Sequence, residues 1–175
     1  MNSGFRFCPQ CATALEWIAL AEDGGHRERL RCGSCGYTHW NNPTPVLAAI
    51  IEYRGQVLLA RNAAWTGRMF ALITGFMEAG ETPQEGIARE IKEETNLDTE
   101  SLQLIGVYDF QRMNQVIIAY HAVADGDIAL SPELAEYRLF DLADVRCWRA
   151  GTGQALADWL RSRGREPQFI EFQRK

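Results

Sequence analysis

Two sets of residues in this 175-residue chain have the types and spacing to do chemistry. Cys8 with Cys11, and Cys32 with Cys35, form two Cys-x-x-Cys pairs separated by twenty residues. Each pair suits a tight turn that aims two sulfurs at one point, and two such turns supply the ligands of a tetrahedral zinc ion. Four thiolates leave no open coordination position, so a zinc held there is structural. A redox dithiol is the alternative, but that motif normally comes as a single pair beside a βαβ pattern. The second set is Glu90, Glu93 and Glu94. On a helix these stand at i, i+3 and i+4, so three carboxylates meet within one turn and repel one another. Arg89 and Lys92 offset part of that repulsion. A divalent cation such as Mg2+ explains the cluster better, because it is held by few carboxylates and keeps its other positions for water and phosphate oxygens.

Both sets need elements to position them. Thr82 is a good N-cap, Pro83 fits the first helical position, and Glu85 completes a capping box with Thr82. Asn96 stands where a left-handed residue would close the helix. Ile87, Ala88 and Ile91 between them make the apolar stripe that would seat it. In the first forty residues, Glu16–Ala21 and Arg27–Arg31 read as short strands around an Asp23-Gly24-Gly25 turn. So few large apolar side chains would hardly fold without a metal staple. Downstream, Val46–Tyr53 and Gln56–Arg61 are apolar strands joined at Arg54-Gly55. Phe70–Thr74 leads into the acidic helix, Leu102–Phe110 and Val116–Val123 suit an antiparallel pair, and Tyr137–Asp141 is short and extended. Ala155, Leu156, Trp159 and Leu160 mark one face of a closing helix that ends at Gly164. Asn41-Asn42-Pro43 is the natural joint. The expected layout is a metal-stapled module over residues 1–40, a larger domain over 41–165, and a tail over 166–175.

The segment GFMEAGETPQEGIAREIKEETNL (75–97) resembles the Nudix box, G-x5-E-x7-R-E-U-x-E-E-x-G-U with U a bulky aliphatic residue. Gly75, Glu81, Arg89, Glu90, Ile91, Glu93, Glu94 and Leu97 match, and Asn96 replaces the last glycine. The first forty residues resemble a zinc ribbon. The resemblance implies an α+β fold, a Nudix α/β/α sandwich with a mixed sheet preceded by a small zinc ribbon. It implies a metal-dependent hydrolase that cleaves a nucleoside diphosphate linked to another moiety, using Mg2+ or Mn2+. Glu90 and Glu94 would be the principal ligands, Glu93 a ligand or base, and the Gly75 carbonyl a further ligand. Arg89 would pair with Glu81 and orient it. Family members often add a carboxylate from a later loop, and Glu133 is favoured over Glu136. A ribbon ahead of this box is similar to the NADH pyrophosphatases, but their SQPWPFPxS motif is replaced by Ile105–Gln115. Other ribbon-bearing Nudix enzymes that act on FAD and ADP-ribose also lack it. The expected substrate is therefore an ADP-containing dinucleotide or nucleotide-sugar: FAD, ADP-ribose or NAD(H). Tyr108, Phe110 and Arg112 occupy the specificity segment, where an aromatic could stack on a base and an arginine hold a phosphate. Core packing is the competing reading for Tyr108 and Phe110, and for Trp65 and Phe70. His121 reads as a structural histidine and Cys147 as a buried small hydrophobe.

Composition narrows the classes. With 46% hydrophobic and 23% charged residues, the chain is ordinary globular material. Its longest apolar run, Val46–Ile51, is far short of the ~20 residues of a bilayer span, and no secretory h-region is visible. The reading is a cytoplasmic protein with a small-molecule nucleotide partner and no membrane. A homodimer is left open, being common among the enzymes it resembles. The net charge of −5 argues against nucleic acid, and the ribbon balances Arg6, Arg27, Arg29 and Arg31 against Glu16, Glu22, Asp23 and Glu28. That charge is local: residues 78–100 carry −6 and the remainder +1. Two rival functions stay open: a house-cleaning nucleoside triphosphate pyrophosphohydrolase, and a non-catalytic nucleotide sensor whose ribbon binds nucleic acid.

Overall fold

A computed structural model describes residues 4–170 and divides the chain into two compact units at Asn42/Pro43. In the first unit, β1 (Leu15–Glu22) and β2 (Gly25–Cys32) form an antiparallel hairpin in unbroken register, from Leu15 opposite Cys32 to Glu22 opposite Gly25. Gly25 closes the turn at φ +105°, a conformation that side chains with a Cβ rarely adopt. A two-residue strand, β3 (Thr38–His39), adds to β2. So short a strand has no periodicity to betray it in sequence.

The second unit is built on β4 (Thr44–Tyr53), whose Val46–Ile51 run is buried on both faces. That explains why the run is continuous rather than alternating. Arg54 and Gly55, both with positive φ, turn the chain into β5 (Gln56–Asn62). There follow β6 (Ile73–Phe76), α1 (Pro83–Thr95), β7 (Asp98–Phe110), β8 (Gln115–Asp125), β9 (Leu134–Phe140) and α2 (Thr152–Ser162). The sheet order is β7-β8-β4-β5-β9, with β6 also on β4. Only β4 and β8 run parallel, so the sheet is mixed. One edge of β4 pairs with β8 along most of its length. Its other edge is divided: β5 takes Ile51–Tyr53, while β6 takes Val46–Ala49. Residues 70–74, which lead toward the helix, are only partly strand. Ala71 bridges Ala60 on β5, and the chain then changes partner to pair 73–76 with β4.

Helix α1 covers one face of the sheet and α2 the other, the α/β/α sandwich that the sequence implied. Ile87 and Ile91 pack with Leu47, Ile51, Ile73, Leu97 and Tyr120. Leu156, Trp159 and Leu160 pack with Ile50, Val57 and Leu59, and Cys147 is fully buried among them. The segment expected as a tail is partly structural: Gln168 and Ile170 bond the Cys147 backbone and Phe169 joins the core, while 171–175 lie outside the described residues. No helix among the described residues is long and apolar enough to cross a membrane, which says nothing about membrane-spanning strands.

Candidate active site

The capping box foreseen at the start of α1 is formed. Thr82 accepts from the Glu85 amide, and Glu85 accepts from the Thr82 amide. At the other end Asn96 adopts φ 63°, and its side-chain amide donates to Asp127 O at 3.0 Å. Thr95, fully buried, donates its hydroxyl to Ile91 O and accepts the Leu97 amide. The last turn is thus satisfied without the glycine that the box usually carries.

Between those caps, Glu90, Glu93 and Glu94 face a cavity of about 450 Å³ that Gly75, Phe76 and Glu133 also line. Arg89 holds the approach loop against the helix. Its guanidinium donates to both Glu81 oxygens at 3.1 and 3.0 Å, to Glu90 at 2.8 Å and to Glu93 at 3.0 Å. Glu81 also accepts the Glu78 amide at 2.7 Å. The hydrogen bond from Arg89, with that amide, holds the Glu81 carboxyl below the ordinary range. Gly75 has a steric reason: a Cβ there would collide with the Glu90 carboxylate.

Glu94 is different. No hydrogen bond from a described residue reaches its carboxylate. Burial first, then the charges of Glu90, Glu133 and Glu93, push it up to about 7. Glu133 arrives because its loop docks on α1: Ala129 and Ser131 donate to the terminal carbonyls of Thr95 and Glu94. Glu136 is directed elsewhere, lying within β9 beside Arg61 and Arg138. An all-oxygen set with an unpartnered, mutually repelled carboxylate has the donor chemistry of a hard divalent cation site, although among the described residues only the cysteines already stand close enough together to hold an ion.

In the first unit the four paired cysteines converge. Their sulfurs all lie within 4.8 Å of one another, with Cys8–Cys35 and Cys11–Cys32 at 3.5 Å. Hydrogen bonding with Thr13 holds the Cys11 thiol down at about 6. A four-thiol tetrad of this size fits a tetrahedral zinc and has no open position.

Comparison with known families decides the matter, since the NUDIX domain family matches residues 42–161 and the Nudix N-terminal zinc-ribbon family matches 6–41. The chain belongs to the Nudix family. It is 28% identical over 148 residues to an NAD-capped RNA hydrolase NudC of Vibrio atlanticus, covering 83% of this chain and 52% of that one. The NAD-capped RNA hydrolase NudC of Mycobacterium tuberculosis is 33% identical over 117 residues, 65% of this chain and 36% of that one. The chain therefore spans about half or less of the length of these relatives. A crystal structure of a NUDIX hydrolase from Nitrosomonas europaea superposes with a TM-score of 0.75 at 29% identity, covering 95% of this chain and 97% of that one.

The Nudix domain does not bring every expected residue to its cavity. Tyr108 and Phe110 pack on the α2 face with Val46 and Ile117, and the Tyr108 hydroxyl donates to Asp158 on α2 at 3.0 Å. Burial pushes that phenol up to about 12. Arg112 lies exposed on a short 3-10 turn after β7. None of the three lines the cavity. Phe70 lies under the Arg138 guanidinium and Trp65 is exposed in the loop after β5. His121 is structural in its contacts: it bonds Glu52 at 2.9 Å and stacks on Trp159. The sequence reading missed Phe76 and Gln115, which do line the cavity. Phe76 occupies a variable position of the box, and its signal was an aromatic where the loop must stay open to solvent. Gln115 closes the Ile105–Gln115 segment that stands in place of the SQPWPFPxS motif, and that position was its signal.

Proposed function

We propose that this protein is a metal-dependent pyrophosphohydrolase acting on an NAD-type dinucleotide, free or at the end of an RNA chain. The observation that carries this reading is the cavity in which Glu90, Glu93, Glu94 and Glu133 face Gly75 with an exposed aromatic, Phe76, at the rim. The names of the similar relatives supply the substrate class.

Glu90, Glu93, Glu94 and Glu133, with the Gly75 carbonyl, would hold Mg2+ or Mn2+. When bound, such cations supply the positive charge that a pyrophosphate needs in order to be attacked by water. The chain's own residues do the positioning. Arg89 clamps Glu81, Glu90 and Glu93 beside the cavity and would release one oxygen each of Glu90 and Glu93 as the carboxylates gather round an ion. Glu94 carries no competing hydrogen bond and stays available to a ligand or a proton. Phe76, 58% exposed, offers a ring face on which a base can stack. In the first unit, Cys8, Cys11, Cys32 and Cys35 would hold Zn2+ as a staple.

A net charge of −5 speaks against a broad basic face, and a dinucleotide at an RNA end does not require one. A panel with Mg2+ tests the reading: NADH, NAD-capped RNA, FAD, ADP-ribose and nucleoside triphosphates. NAD-type substrates should lead in kcat/KM. Triphosphates releasing pyrophosphate, or FAD or ADP-ribose leading, would overturn it.

A further inference from the structure

The end of the sheet presents two side chains to the acidic cavity that hydrolysis itself does not use. Strand register fixes where they stand. Val46 on β4 pairs with Phe76 on β6 and with Ile117 on β8, and directly paired residues project from the same face. Thr44 pairs with Gln115 in the next row. Gln115, two residues before Ile117, therefore returns to that face. This is the face that Tyr108, Phe110 and α2 cover; where it reaches the cavity, Val46 becomes a floor, with an aromatic ring beside it and a primary amide one row outward. All three line the cavity that holds Glu90 and Glu94.

The protein leaves both groups unengaged. Phe76 is exposed although Val46, its strand partner, is buried. Gln115 is half-buried, and its amide has no hydrogen-bond partner among the described residues. Neither amide atom is sealed from solvent, so a ligand in the cavity can reach both.

We propose that Gln115 determines specificity in this cavity by pairing, through two hydrogen bonds, with a planar ring that carries a donor next to an acceptor. The inference rests on the dinucleotide reading above. A primary amide offers one carbonyl acceptor and an NH2 donor side by side. Its complement is a ring bearing an exocyclic NH2 beside a carbonyl or ring nitrogen. Two parts of an NAD-type substrate have that chemistry: the carboxamide of nicotinamide, and the amino edge of adenine, which glutamine reads in the same paired fashion. A site that hydrogen-bonds its ligand rejects an analogue lacking the group far better than an apolar pocket does, because its own polar atoms are left unpaired.

The test compares wild type with Gln115→Leu, which keeps the bulk and removes both hydrogen-bonding groups. The substrates are an NAD-type dinucleotide, its nicotinic acid counterpart and its hypoxanthine counterpart. Wild type should prefer the parent over one of the two analogues by about fivefold to a hundredfold in kcat/KM; the rejected analogue names the end that is read. Gln115→Leu should level that preference mainly through KM, with an unchanged melting temperature. Equal turnover of all three by wild type, or a preference that survives in Gln115→Leu, would overturn the proposal. Absence of dinucleotide turnover would overturn the proposed activity instead. The same three compounds titrated calorimetrically with Ca2+ present would then decide this inference. A binding preference lost in Gln115→Leu sustains it, and equal or absent binding sinks it.

Discussion

Glu94 is the residue on which the electrostatics of the proposed metal site converge. It is half-buried, bears no hydrogen bond from a described residue, and faces the charges of Glu90, Glu93 and Glu133. Replacing it with glutamine removes a charge that only a cation would balance. Glu94→Gln should lower kcat by at least about a hundredfold, the scale of losing one preorganised electrostatic group. It should melt at the same temperature as wild type or higher without metal, since the repulsion is relieved. Adding Mg2+ should raise the melting temperature of wild type and leave the variant nearly unmoved. A variant that keeps near-normal turnover would remove Glu94 from its role. Gly75 permits a second residue-scale test. Gly75→Ala drives a Cβ into the Glu90 carboxylate, so activity should fall sharply. Retention of full kcat by Gly75→Ala would show that Glu90 can move without consequence.

At the scale of the element, the box helix shows what sequence makes legible. Its caps depend on local residue types with a direct geometric meaning, so Thr82, Pro83, Glu85 and Asn96 could be read from the chain, as could Ile87 and Ile91 on its buried stripe. Thr82→Ala removes the hydroxyl that accepts the Glu85 amide and should cost about 1 kcal/mol in chemical denaturation. Asn96→Gly should be nearly neutral, because the residue already adopts φ 63°. Asn96→Val should be clearly destabilising, since a β-branched side chain is strained there. A destabilised Asn96→Gly would instead make the Asn96 bond to Asp127 O the stronger contribution. What could not be read locally are partnerships between distant elements. Glu133 reaches the cavity because its loop satisfies the terminal carbonyls of α1, a match between residues more than thirty positions apart. Tyr108 and Phe110 carried the opposite problem. An aromatic at every second position of a strand says which face it shares, and only the packing of α2 says that this face is covered.

The whole molecule comprises two units that rely on different physics. The cores around α1 and α2 draw only on residues from Val46 onward, whereas the first unit buries little beyond Leu30, Cys8 and Cys32 among its apolar and sulfur side chains. A domain with so small a core would take most of its stability from a metal held by its four paired thiols. The protein should therefore be purified with about one equivalent of zinc. In that state none of its five cysteines should react rapidly with a thiol reagent, because four ligate metal and Cys147 is fully buried. Stripping the zinc with a strong chelator should release four fast-reacting thiols and leave Cys147 silent until denaturant is added. The major thermal transition, from the second unit, should persist. That transition should also carry a pH signature. Burial holds His121 below its ordinary value of 6.5 against the pull of Glu52, with Arg163 and Trp159 beside it. A histidine depressed in the folded state favours folding fully above 6.5, and its contribution is lost as pH falls through that value toward the folded pKa. Glu94, raised to about 7, takes up a proton in the same range and stabilises the fold as pH falls, so the two effects are separated in the Glu94→Gln background. There the melting temperature should begin to drop below about pH 6.5, and with His121→Gln added the profile should stay flat until the ordinary carboxylate range. A Glu94→Gln profile already flat from pH 7 to 5, or an unchanged slope in the double variant, would show that His121 is not the group responsible.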